Sequence, residues 1–167
     1  LEFRRVLFRS TTIHRAENTD DPRRLATIVE VLNAFADNAR IVLPLHPRTR
    51  QALAGLKLDT GKIDVIDPVG YLDMTSLTAS AALVVTDSGG VQKEAYFHGV
   101  RCVTLRAETE WTELVEAGWN ELLPPDDLTT VRDALIAALN RSAPAARPDF
   151  FGDGQAAQKI AAILAAA

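Results

Sequence analysis

Thr86-Asp87-Ser88-Gly89-Gly90-Val91-Gln92-Lys93-Glu94-Ala95 is the stretch whose reading decides the fold. It follows the apolar run Leu83-Val84-Val85 and opens a short helical pattern, giving the order strand, tight Ser-Gly-Gly turn, helix. That order suits an anion. Two glycines let backbone approach a ligand closely. The free N–H groups and the positive dipole end of the following helix would face a phosphate. Ser88 adds a hydroxyl donor, and Glu94, one turn on, could accept from a ribose hydroxyl. A plain strand-to-helix turn with a serine cap is the competing reading, and this turn chemistry alone does not exclude it.

Around that stretch the chain alternates strands and helices. Thr11–Ile13 carries strand character and ends in the polar cluster His14-Arg15-Ala16-Glu17-Asn18. Asp20 or Asp21 can cap a helix whose first turn accepts Pro22. Leu25, Ile28, Val29, Leu32 and Phe35 give that helix its apolar stripe, and it should end near Asn38. Strands are expected at Arg40–Leu45, Ile63–Ile66, Ala82–Thr86 and Arg101–Leu105, with a short edge strand at Asn120–Leu123. Helices are expected at Arg48–Gly55, at Tyr71–Ala79 with Leu72 and Leu77 inward, and at Gly90–His98 closed by Gly99. One or two helical turns over Glu113–Ala117, stopped by Gly118, and helices over Leu128–Arg141 and Gln155–Ala166 complete the series. This alternation implies right-handed crossovers and a parallel sheet. Ligands of such sheets bind at the carboxyl ends of the strands. The loops around His14, His46, Asp67–Tyr71, Asp87–Gly90 and Arg106–Glu110 all fall there.

Composition narrows the function classes. The chain's 167 residues suffice for one domain with a real core. A net charge of −4 gives no support to nucleic-acid binding through a broad basic surface. The single cysteine, Cys102, excludes an internal disulfide and a Cys-rich zinc site, and reads as a reduced core thiol. His14, His46 and His98 stand too far apart, without carboxylates at ligand spacing, to suggest a metal. No apolar run approaches the roughly 18 residues that span a bilayer. With no secretory signal in view, a cytoplasmic protein is the default expectation. Residues 1–10, Leu-Glu-Phe-Arg-Arg-Val-Leu-Phe-Arg-Ser, are basic and aromatic, unlike the Ala-rich acidic remainder. They read either as an artificial or sequencing scar joined to the domain at 11–167, or as a genuine first strand, Val6–Ile13.

His14-Arg15-Ala16-Glu17-Asn18, His46-Pro47, Asp87-Ser88-Gly89-Gly90-Val91-Gln92-Lys93-Glu94-Ala95 and Thr109-Glu110-Trp111, taken as a set, resemble the non-hydrolysing UDP-N-acetylglucosamine 2-epimerases. The resemblance is to the C-terminal, nucleotide-binding domain of that family and runs from about Thr11 to the end. It implies a three-layer Rossmann-like α/β domain, one half of a GT-B arrangement with the active site in the cleft. It also implies interconversion of UDP-GlcNAc and UDP-ManNAc by elimination of UDP to a 2-acetamidoglucal and re-addition on the other face, with no cofactor or metal. Position by position, Ser88, Gly89 and Gly90 would hold the diphosphate, and Glu94 the ribose hydroxyls. His14 would lie near the diphosphate and assist UDP departure, with Arg15 supporting the same anion. Backbone around Val69–Tyr71 would meet the uracil.

The sequence departs from the family at three places. Met74 stands where an aromatic often stacks on uracil. Arg106-Ala107 replaces a common Arg-Asp, and Thr109-Glu110-Trp111 a common Thr-Glu-Arg. The Trp form also occurs in relatives acting on other UDP-2-acetamido sugars, such as a 2,3-diacetamido uronic acid. The resemblance further implies that the acid and base carboxylates for the C2 proton come mainly from an N-terminal domain absent here. Proton abstraction needs a positioned base on each face, so this chain alone is expected to be inactive while still able to bind UDP.

Several residues carry two readings. Arg106, Thr109 and Glu110 are a candidate sugar or phosphate loop, and Arg106 otherwise pairs with Glu108 or Glu110. His46 is a site residue or a helix cap, and His98 a C-terminal helix residue. Lys93 is expected to face solvent, and Trp111 and Trp119 to pack. Ile160, Ile163 and Leu164 form a core-like stripe, part of which the missing domain would cover. Self-association as a homodimer through an uncovered cleft or helix face fits the same picture. Two alternatives stay open: the donor-binding half of a GT-B glycosyltransferase, and a non-catalytic nucleotide-binding module.

Overall fold

The computed structural model describes residues 8–37 and 39–166. In chain order the elements are β1 Phe8–Thr12, α1 Ala16–Thr19, α2 Pro22–Ala36, β2 Arg40–Pro44, α3 Pro47–Leu56, β3 Asp64–Ile66 and α4 Tyr71–Ser80. They continue with β4 Leu83–Thr86, α5 Gly89–Phe97, β5 Cys102–Thr104, α6 Thr112–Glu116, β6 Asn120–Leu122, α7 Leu128–Asn140 and α8 Ala156–Ala165. The strands form one six-stranded sheet in the order β3-β2-β1-β4-β5-β6, and every neighbouring pair is parallel. The expected α/β fold with a parallel sheet is therefore present, in the strand order of a doubly wound Rossmann domain.

Local chemistry sets the element ends. The Asp21 carboxylate accepts from the N–H groups of Arg23 and Arg24, and Pro22 occupies the first helical position of α2. The imidazole Nδ1 of His46 accepts from Arg48 N–H at 3.2 Å and caps α3. Gly99 closes α5 at φ +66°, a conformation that costs glycine nothing, and lets Val100 N–H reach back to the Ala95 carbonyl at 2.9 Å.

Alternation along each strand divides the core between the two faces of the sheet. Ile41, Leu43, Leu83, Val85, Val103 and Leu105 meet the stripes of α2 and α7 on one face. Val42, Val84 and Cys102 meet Ala95 of α5 and Leu77 of α4 on the other. This gives three layers, with central strands buried on both sides, as parallel sheets require. Each fully buried Leu, Ile or Val contributes about 1.5–3 kcal/mol relative to exposure. A satellite cluster under the chain's last connector joins Tyr96, Leu114 and Trp119 to Trp111 and Phe151.

The structure corrects four expectations. Leu72 does not point inward: it is 80% exposed, while Leu77 on the next turns of α4 packs against the core. The stripe Ile160, Ile163 and Leu164 is not core, because α8 buries none of its residues. Periodicity reports that a helix has an apolar side and says nothing about whether a surface covers it. Lys93 does not stand in solvent but lies over the rings of Trp111 and Phe151, 4.7 and 4.3 Å from their centroids. Residues 16–19, read as loop, form the short helix α1. At the chain's start, β1 lies between β2 and β4 in the middle of the sheet, and Val6 of the alternative strand lies outside the described residues. Among the described residues, no helix is long and apolar enough to cross a membrane.

Candidate functional site

In the strand order β3-β2-β1-β4-β5-β6 the chain turns one way from β1 and the other way from β4. The loops after these two strands therefore part and leave a crevice at their carboxyl ends. A cleft of about 350 Å³ opens there, lined by Thr12, His14, His46, Val69, Met74 and Val91 among others. The loops singled out in the sequence converge on this end of the sheet.

Asp87 organises the junction. It directly follows β4 and is fully buried. Its carboxylate accepts from the backbone N–H groups of His14, at 3.0 and 3.1 Å, and of Arg15, at 2.9 Å. Asn18 Nδ2 donates to the same carboxylate at 3.1 Å and to the Leu105 carbonyl at 3.1 Å. The imidazole Nδ1 of His14 lies 3.3 Å from Asp87. A buried carboxylate needs such donors to offset its lost hydration. His14 itself remains 40% exposed, its ring 6.1 Å from that of His46. His46 caps α3, and its side chain also lines the cleft.

Beyond Asp87, Ser88 is the N-cap of α5, but its side chain makes no capping bond; its N–H donates to Thr86 Oγ1 at 2.9 Å. The first-turn N–H groups of a helix have no intrahelical carbonyl to bond. Gly89 and Gly90 supply two of them, and they carry no side chain to hinder approach. A Cβ on Gly89 would stand 3.2 Å from Glu110 Oε2 and 3.7 Å from Arg15 Nη2. Glu94 lies one turn along α5, partly buried.

The loop after β5 closes over this turn. Trp111 Nε1 donates to the Gly89 carbonyl at 2.8 Å. Thr109 Oγ1 donates to the buried Gln92 Oε1 at 2.6 Å, and Asn120 Nδ2 donates to that oxygen at 2.9 Å. Arg106 is buried and bonds Glu17 at 2.9 Å through Nε, and Glu110 at 3.3 Å through Nη1. Burial works to lower the Arg106 pKa, but the carboxylates of Glu110 and Glu17 outweigh it and raise it above its ordinary value. Glu110 is held below the usual carboxylate range by its own backbone N–H and by Arg106. Of the two partners expected for Arg106, Glu110 is the one found, and Glu17 joins it.

The structure brings His14, Arg15, Ser88, Gly89, Gly90, Arg106, Thr109 and Glu110 to one end of the sheet, with Met74 across the cleft. Tyr71, the first residue of α4, is 70% exposed and is not among the residues that line the cleft. Sequence reasoning missed Asp87, Asn18 and Glu17 as its internal framework. The one available signal was a carboxylate directly after an apolar central strand, where it must find donors or be excluded from the fold.

Sheet order and converging loops define a Rossmann-like α/β domain with its polar groups at the switch point. The chain belongs to the UDP-N-acetylglucosamine 2-epimerase family, whose profile matches residues 3–165. It is 51% identical over 160 residues to the UDP-2,3-diacetamido-2,3-dideoxy-D-glucuronate 2-epimerase of Pseudomonas aeruginosa, covering 92% of this chain and 43% of that protein. The crystal structure of Methanocaldococcus jannaschii UDP-GlcNAc 2-epimerase in complex with UDP-GlcNAc and UDP superposes with a TM-score of 0.82 at 38% identity, over 96% of this chain and 45% of that one. At 14% identity and a TM-score of 0.58, over 83% of this chain and 46% of that one, E. coli heptosyltransferase WaaC shares the fold alone, that of one half of a GT-B arrangement. The chain spans less than half the length of the curated relatives it matches.

Proposed function

We propose that this chain is the UDP-sugar-binding half of a UDP-N-acetylglucosamine 2-epimerase and is inactive without an N-terminal domain that supplies the C2 acid and base. The observation that carries the reading is the Gly89–Gly90 turn, opened at the N-terminus of α5 with the Arg15 guanidinium beside it. Backbone N–H groups, a helix dipole and a cation together fit a diphosphate. In this reading Ser88, Gly89, Gly90 and Arg15 hold the diphosphate, Glu94 the ribose, and Tyr71 and Met74 flank the uracil. His14 donates to the departing UDP. As the C1–O bond breaks, the electrons of the C2–H bond form the glucal double bond, and its proton goes to a base on the other domain. Re-addition of UDP with protonation at the opposite face of C2 gives the epimer. A cation or donor at the leaving phosphate is worth most where charge develops.

A second substrate, UDP-2,3-diacetamido-2,3-dideoxy-D-glucuronate, is favoured by the 51% identity to the Pseudomonas enzyme. The exposed stripe of α8 supports burial against the missing domain, or homodimerisation in its absence. Calorimetric titration with UDP, UDP-GlcNAc and the diacetamido uronate, followed by proton NMR in deuterated water, tests the reading. UDP binding without deuterium uptake at C2 is the expected result. Uptake catalysed by this chain alone would overturn the assignment of the acid and base to another domain. No UDP binding at millimolar ligand would overturn the phosphate turn.

A further inference from the structure

We infer that Glu110 is a built-in stand-in for the diphosphate: in the free chain its carboxylate lies over the Gly89 turn and must leave before a nucleoside diphosphate can seat there. The inference rests on the reading of that turn as a phosphate cradle. Glu110 Oε2 stands 3.2 Å from the point a Gly89 Cβ would occupy, the open face that the turn presents. Arg15 Nη2, 3.7 Å from the same point, is 3.9 Å from Glu110 Oε1. Arg106 Nη1 holds both carboxylate oxygens, at 3.3 and 3.4 Å. An anion thus already lies beside the first residue of α5, within 4 Å of both nearby guanidinium groups.

The two cations differ in how firmly they are placed. Arg106 has 8% of its side chain exposed and is bonded to Glu17 at 2.9 Å, so it stays when Glu110 leaves. Arg15 is 42% exposed and free to change partner. The Glu110 side chain is 55% exposed, so solvent receives its carboxylate with little desolvation to reverse. Binding is therefore an exchange of anions. The diphosphate takes the turn and Arg15, Glu110 swings outward, and Arg106 keeps Glu17. Competition from Glu110 lowers affinity for a diphosphate and leaves a phosphate-free nucleoside unaffected.

The test titrates UDP and uridine into the 167-residue chain and into its Glu110→Gln and Glu110→Asp variants by calorimetry. Gln removes the charge, and Asp withdraws it from the turn. UDP should bind about fivefold tighter to Glu110→Gln and more tightly to Glu110→Asp, the scale of losing one competing surface ion pair. Uridine should behave alike in all three. In the unmodified chain, the Glu110 side-chain carboxyl ¹³C resonance should move as UDP saturates, a readout independent of any variant. UDP binding that is equal or weaker in both variants, or a Glu110 resonance that stays in place at saturation, would overturn the inference and leave the phosphate cradle standing. No UDP binding to any of the three chains would overturn the cradle and the inference with it.

Discussion

Asp87 and His14 are 73 residues apart in the chain, yet the buried carboxylate of one holds the backbone N–H of the other at 3.0 and 3.1 Å. The same carboxylate takes Arg15 N–H and Asn18 Nδ2, so the loop after β1 is fastened to the residue that leads into the Gly89–Gly90 turn. Together with the β1–β4 pairing, this side chain ties the backbone of His14 and Arg15 to the position directly after β4, two residues before Gly89.

Removing it should therefore cost both stability and binding. Asp87→Ala leaves several buried donors unpaired and is expected to lower unfolding stability by about 3 kcal/mol, read as a drop in the urea midpoint at unchanged slope. UDP affinity measured below the transition should fall at least about tenfold, because His14 and Arg15 lose their anchor. Asp87→Asn keeps one acceptor oxygen and should lie between the two. Unchanged UDP affinity in folded Asp87→Ala would argue against this role.

Gly89 tests the turn from the ligand's side. Gly89→Val places a side chain where Glu110 Oε2 and Arg15 Nη2 already come within 3.2 and 3.7 Å of a Cβ. The substitution should abolish UDP binding by calorimetry while the circular dichroism spectrum stays close to that of the unsubstituted chain.

Cys102 gives a prediction in alkali. Burial pushes its thiol up to about 12 from an ordinary value of 9.0, with a hydrogen bond to Thr104 acting weakly the other way. The folded state therefore holds the proton more tightly than the unfolded chain. This contribution is complete below pH 9 and declines as pH rises from 9 towards 12, at about 1.4 kcal/mol per pH unit. Denaturation midpoints should fall more steeply over that window than in Cys102→Ala. A disulfide reagent at pH 8 should leave the native thiol unmodified and titrate it fully in urea.

Ser10 gives a prediction in the central strand. A central parallel strand ordinarily reads as a continuous apolar run, whereas β1 buries Arg9, Ser10 and Thr11 between its neighbours. Burial lowers the Arg9 pKa, and the Ser10 hydroxyl meets no hydrogen-bond partner among the described residues. Ser10→Ala should then stabilise the chain by about 0.5–1 kcal/mol, raising Tm by about 1–4 °C. A lower Tm would show that the Ser10 hydroxyl is satisfied in the folded chain.

By itself the sequence determined the elements and the family. Helix stripes such as Leu25-Ile28-Leu32-Phe35, the Asp21 and Gly99 signals and the alternation of strands with helices depend on neighbours within a few residues. The Asp87–Ala95 and His14–Asn18 strings sufficed to mark the turn and the family. Tertiary structure alone decided what each polar or apolar group meets. Asp87 reaches His14, and Glu110 reaches Gly89, only because β1, β4 and β5 lie side by side in the sheet. Lys93 found aromatic rings, while Leu72 and the α8 stripe found no covering surface among the described residues. The physical reason is range. Backbone periodicity and capping are local interactions, whereas pairing a buried charge or covering an apolar face depends on residues that sequence order leaves far apart.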